Sequence, residues 1–120
     1  MIIVGHSLGG SLSYITAFDL YKAGYTIDAV VSFGAPPTFK KTMADDYNHY
    51  LGNVTFRFVN NLDIIPSLLT KILQFKHVGR TVYFQGENCL PTADSLFRKG
   101  IFNFKNHAMD DYLRCFHRQY

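Results

Sequence analysis

Ten residues at the start of the chain, MIIVGHSLGG (residues 1–10), constrain the fold more than any other stretch. Ile2, Ile3 and Val4 form a short apolar run rich in β-branched residues, the pattern of a strand buried on both faces. Gly5-His6-Ser7-Leu8-Gly9 follows directly as a G-x-S-x-G match, and Leu12, Ile15, Thr16 and Leu20 then recur at helical spacing. Strand, sharp turn and helix together are the context in which this motif presents a serine hydroxyl as a nucleophile. The turn holds Ser7 in a strained backbone conformation, and side chains at positions 5 and 9 are expected to collide with the strand or the helix. The free N–H groups of the helix N-terminus then lie where an oxyanion would develop. A glycine-rich turn whose serine merely caps the helix has the same letters, so the two readings separate only by geometry.

Length and composition narrow the field. At 120 residues the chain has enough material for one domain with a real core, and its 48% hydrophobic share fits a globular protein. The formal charge is only +3, and the basic residues are scattered, so nucleic acid is not an expected partner. No apolar run approaches the ~18–20 residues of a transmembrane segment. Cys89 and Cys115 lack metal-ligand spacing and read as free thiols or as one disulfide. No metal and no cofactor is expected.

The chain then alternates between strands and helices. The helix after Ser7 reads to about Lys22, with Gly24 where a left-handed C-terminal residue belongs. Residues 27–33 (IDAVVSF) read as a second buried strand that ends in Gly34-Ala35-Pro36-Pro37. Residues 39–51 read as an exposed helix stopped by Gly52 and Asn53, and residues 54–59 (VTFRFV) as a third strand. A polar loop follows, through which Pro66 forbids a helix. Residues 77–84 (HVGRTVYF) read as a fourth strand. Asn106-His107 opens a last helix, with Met109, Tyr112, Leu113 and Phe116 on one face. The expected fold class is therefore α/β, a mostly parallel or mixed sheet of about four strands with flanking helices. A central-type strand at residues 2–4 would have an unpaired ladder edge and an uncovered apolar flank. The expectation is thus that residues 1–120 form the C-terminal part of a larger catalytic domain, the alternative being a small complete protein that pairs this edge with another chain.

A serine hydroxyl needs a base to become nucleophilic, and the base needs an orienting partner. In the fold that carries this motif the chain order is serine, acid, histidine. Asp63 sits four residues past a predicted strand, in the loop Asn60-Asn61-Leu62-Asp63, at the end of the sheet where such folds place ligands. It also reads as a loop-capping residue. Asp28 begins a strand and so lies at the wrong end; Asp45, Asp46, Asp110 and Asp111 fall on solvent-facing helix surfaces, and Asp94 reads as a helix cap. For the base, His107 lies in a loop downstream of Asp63, as the order requires. His6 points elsewhere on the turn, His49 belongs to an exposed helix, His77 suits a structural hydrogen bond, and His117 lies near the terminus.

Taken together, IIVGHSLGGSL at residues 2–12, VVSFGAPP at 30–37, FRFVNNLDIIPSL at 56–68, KHVGRTVYF at 76–84 and NHAMDDYL at 106–113 resemble the C-terminal half of a class 3 (fungal-type) lipase, an α/β-hydrolase. The resemblance spans nearly the whole chain in the family's order. It implies a serine esterase acting on acylglycerols or related lipids, with Ser7 as nucleophile, Asp63 as acid, His107 as base and the Leu8 amide as one oxyanion donor. The partner would be a lipid or ester substrate. The aromatic stretch at residues 96–104 reads as core packing, as a wall of an acyl pocket, or as a patch in contact with a lipid interface. The family's lid and second oxyanion donor precede its nucleophile strand, so a truncated, catalytically weak binding or regulatory module is the alternative, and an inert remnant the third.

Overall fold

The computed structural model describes residues 1–60, 74–83, 109, 110, 112 and 113. Its centre is a four-stranded parallel sheet: β1 (Ile2–His6), β2 (Ala29–Phe33), β3 (Thr55–Val59) and β4 (Arg80–Tyr83), side by side in chain order. Two helices cross over between the first three strands, α1 (Leu8–Lys22) and α2 (Lys41–Leu51), the latter running into a 3₁₀ turn at Gly52–Val54. The α/β expectation holds, with every pairing among these four strands parallel.

The register decides which residues meet the helices. Ile3, Val30, Ser32, Thr55 and Arg57 share one face by the period-two alternation of paired strands. On that face Tyr14 and Phe18 of α1 pack with Tyr47 of α2, Ala17, Ala44, Leu51 and Val30. The Tyr14–Tyr47 and Phe18–Tyr47 rings lie 6.0 and 5.5 Å apart. Each buried phenol has a partner, as burial of a polar group requires. Tyr14 is hydrogen-bonded to the Ser32 hydroxyl, and Tyr47 to Thr55 Oγ1 at 2.9 Å. Burial raises the pKa of both phenols to about 12. Arg57, also buried, donates to Thr81 and shares a 3.0 Å hydrogen bond with His77 Nδ1. Desolvation lowers its pKa.

Helix α1 ends as expected at Lys22. Gly24, at φ +91°, closes it in a Schellman motif: Gly24 N–H donates to Tyr21 O at 2.9 Å, and Tyr25 N–H to Leu20 O at 3.0 Å. Its buried face is not the one expected. Leu12 and Ile15 are exposed, and Gly10, Ser11, Ser13, Tyr14, Ala17 and Phe18 face the sheet. The reason is the close approach of the helix to β2 near the elbow. A Cβ on Gly10 would lie 2.6 Å from the Ala35 Cβ and 3.1 Å from that of Ser32, so small residues are selected there over large apolar ones. Ser11 and Ser13 satisfy their hydroxyls on the Pro36 and Gly10 carbonyls.

β1 has the apolar run of a doubly buried strand, but its flank is uncovered as expected: Ile2 and Val4 are 67% and 62% exposed, and β1 is an edge among the described strands. Two further expectations need correction. α2 is not merely an exposed helix, because Ala44, Tyr47 and Leu51 form a buried stripe; it starts at Lys41, since Phe39 is held instead in an isolated antiparallel bridge with Lys76. β4 begins at Arg80 and not at His77. Gly79 breaks the ladder with φ +71°, close enough to β3 that a Cβ there would lie 2.5 Å from Thr55 Cγ2.

Candidate active site

The turn between β1 and α1 is made by Ser7 alone. Its φ of 56° and ψ of −127° lie in a region that side-chain-bearing residues rarely adopt, at a cost of about 1–3 kcal/mol. Backbone hydrogen bonds hold it there. Ser7 N–H donates to Phe33 O at 2.9 Å, and the Ser7 carbonyl accepts from Gly10 N–H at 2.9 Å. Ser7 occupies the N-cap position of α1 but makes no side-chain capping bond, so the reading of this serine as a plain helix cap fails.

The two glycines of the motif are not equivalent. A Cβ on Gly5 would stand 2.2 Å from the Gly9 carbonyl oxygen and 2.7 Å from Gly10 N, a collision with backbone. At Gly9 nothing lies within 4 Å of an added Cβ. The expectation that both positions exclude a side chain therefore holds for Gly5 and is corrected for Gly9, whose place is taken by Gly10. Leu8 opens α1 and is 68% exposed. Its N–H belongs to the first helical turn, where amides lack an intrahelical acceptor and the helix dipole favours negative charge.

Around Ser7 the carboxyl ends of three strands converge. Phe33 closes β2 and stacks on Phe58 of β3 at 5.2 Å. Tyr112, fully buried, makes T-shaped contacts with both Phe33 and His6, each at 6.0 Å, and its hydroxyl accepts from Asn60 N–H at 3.3 Å. Met109 packs beside it, while Leu113, expected on the same apolar face, is 44% exposed. Crevices outside the carboxyl ends of parallel strands are where open α/β sheets bind ligands.

The remaining candidates sort by position. Asp63 and His107 lie outside the described residues, as do Cys89, Cys115 and residues 96–104. Asp28 precedes β2, with its N–H on Met1 O at 2.9 Å, at the end of the sheet away from Ser7. Asp45 pairs with Lys41 at 2.6 Å on the exposed side of α2. His77 serves Arg57, and His6 lies against Tyr112. Among the described residues no group of three or more His, Cys, Asp or Glu side chains is placed to hold a metal ion. No helix of the described residues is long and apolar enough to cross a membrane. Two buried groups escaped the sequence reading, Arg57 and the Tyr112 hydroxyl. The alternation Thr55, Arg57, Val59 already carried the signal for the first, since it places the arginine on the helix-covered face. For the second there was none beyond a tyrosine on a predicted apolar face.

Residues 1–72 match the family Lipase (class 3). The chain is 35% identical over 80 residues to a secreted mono- and diacylglycerol lipase, LIP4, of Malassezia restricta, a match covering 66% of this chain and 27% of that protein. It is 28% identical over 88 residues to secreted mono- and diacylglycerol lipase A of Penicillium cyclopium, covering 73% and 28%. Among solved structures it resembles the M37 lipase crystal structure, with TM-score 0.52 and 33% identity over 56% of this chain and 21% of that one. The chain thus spans little more than a quarter of the length of these curated relatives.

Proposed function

Because the chain belongs to the class 3 lipase family, we propose that it carries the nucleophile of a serine ester hydrolase acting on acylglycerols through Ser7, Asp63 and His107. The observation that carries this reading is the backbone of Ser7, strained, held by Phe33 O and free of any capping duty, at the ligand-binding end of a parallel sheet.

In the proposed cycle, Ser7 Oγ attacks the ester carbonyl carbon while His107 takes the hydroxyl proton, and Asp63 holds the imidazole in the required tautomer. The carbonyl oxygen becomes an oxyanion and accepts from the Leu8 N–H at the positive end of α1. Collapse of the tetrahedral intermediate breaks the bond to the alcohol, which leaves with the proton from His107. A water, deprotonated by His107, then attacks the acyl-enzyme, releasing the fatty acid and restoring Ser7. Mono- and diacylglycerols, the substrates that the relatives' names state, are the first class to assay. The same reading makes residues 1–120 the C-terminal part of a single lipase-like domain. The quarter-length span against the relatives and the exposed Ile2 and Val4 support it.

A fluorophosphonate probe tests the nucleophile directly. The full protein should label at one site, and Ser7→Ala should abolish both labelling and ester hydrolysis while leaving the fold intact. Activity retained above about a tenth in Ser7→Ala would reject the reading.

A further inference from the structure

Resting on the triad reading above, the structure assigns to Tyr112 the role of a positioning residue that ties the stretch downstream of the proposed base to the strand ends around Ser7. The side chain is fully buried and touches the carboxyl ends of three successive strands. Its ring stands in a T-shaped contact with His6, the neighbour of Ser7, at 6.0 Å and 68°. It meets Phe33, whose carbonyl holds the Ser7 N–H at 2.9 Å, at 6.0 Å and 75°. Its hydroxyl accepts from the N–H of Asn60, the residue directly after β3.

Along the sequence these contacts fall near all three residues of the proposed triad. Along the chain, His107 is the fifth residue before Tyr112, and Asp63 the third after Asn60. The two edge-to-face contacts limit rotation of Tyr112, and the directional bond from the Asn60 amide to its hydroxyl limits its sliding along the sheet. A purely space-filling residue at this place would not need a hydroxyl, and Phe33 and Phe58 beside it have none. Apolar packing is non-directional, whereas a buried hydrogen bond fixes one arrangement. Misplacing a catalytic group by about 1 Å costs on the order of a hundredfold in rate, so a residue that only fixes position has a kinetic signature.

The test compares Tyr112→Phe, which keeps the ring and deletes the hydroxyl, with Tyr112→Leu, which removes both. In the full protein, Tyr112→Phe should lower kcat for a short p-nitrophenyl ester by about tenfold, the equivalent of one ordinary hydrogen bond. KM should stay within about twofold, because Tyr112 is buried and touches no substrate, and the rate of fluorophosphonate labelling of Ser7 should fall in step with kcat. Tyr112→Leu should lose roughly a hundredfold in both. Wild-type kcat and labelling rate in Tyr112→Phe, with a lowered melting temperature, would make Tyr112 a core residue only and overturn the assignment; this arm stands even if Tyr112→Leu fails to fold. Labelling that survives Ser7→Ala would overturn the triad reading instead, and that control is independent of Tyr112.

Discussion

Replacing each glycine of the G-x-S-x-G turn by alanine should give opposite results. At Gly5 the new methyl would stand 2.2 Å from Gly9 O, 2.5 Å from Gly9 C and 2.7 Å from Gly10 N, where real Cβ contacts stay above 3.0 Å. All three atoms are backbone of the first turn of α1, and no rotamer change relieves them. The helix must lift from β1, which strains the Ser7 N–H bond to Phe33 O. Overpacking of side chains costs about 1–3 kcal/mol, and a collision with backbone belongs at or above the top of that range. At Gly9 nothing lies within 4 Å, and the residue sits inside the first turn of α1 without a positive φ. Alanine there gains helix propensity, up to about 1 kcal/mol over glycine. Gly5→Ala should therefore melt roughly 10 °C lower and label slowly with fluorophosphonate, while Gly9→Ala melts at or slightly above the wild-type temperature. Thermal unfolding followed by circular dichroism, beside a labelling time course, measures both. Equal destabilisation by the two substitutions would refute the steric reasoning.

Asp63→Asn and His107→Ala should each lower kcat by several orders of magnitude, and combining either with Ser7→Ala should add little, since residues acting as one unit are grossly non-additive; multiplying losses would break up the proposed triad. Stability should fall in alkali. Tyr14 and Tyr47 hold their protons to about pH 12 when folded and release them near pH 10 when unfolded. The unfolded state therefore binds fewer protons between those values, and each phenol removes on the order of 1.4 kcal/mol per pH unit there. Urea midpoints that stay level from pH 9 to 11.5 would contradict this. Gly79→Ala should cost about 1–3 kcal/mol, because φ +71° and the 2.5 Å approach to Thr55 Cγ2 both disfavour a side chain; unchanged chemical denaturation would refute it.

Much of this was legible in the letters, for reasons that can be named. Three β-branched or aromatic runs gave β1, β2 and β3 because buried parallel strands tolerate little else. Lys22 and Gly24 marked the end of α1 because the left-handed position after a helix admits few residues. The orientation of α1 was not legible. Leu12 and Ile15 advertise an apolar face, but the elbow brings the helix so near β2 that volume outweighs hydrophobicity, and the Gly10, Ser11, Tyr14 stripe turns inward. The same closeness moves the second collision from Gly9 to Gly10. Ser7 was legible as a nucleophile candidate and its strained backbone followed from the motif, whereas the missing side-chain cap bond, which removes the capping alternative, shows only in the geometry. Asp63 and His107 rest on chain order and resemblance, since both fall outside the described residues.

The strands lie side by side in the order in which they are translated, and this bears on when the chemistry begins. Each new strand needs only the one already in place, so a nascent chain can extend the sheet from one edge without threading. The strained serine is complete once Phe33 offers its carbonyl, early in that sequence. His107 leaves the ribosome many residues later, a lag of several seconds at ~5–20 residues per second. For that interval Ser7 is held by Phe33 O while the residue proposed as its base has yet to be made. On the proposed triad, the histidine is therefore added only after the turn that holds its serine has formed.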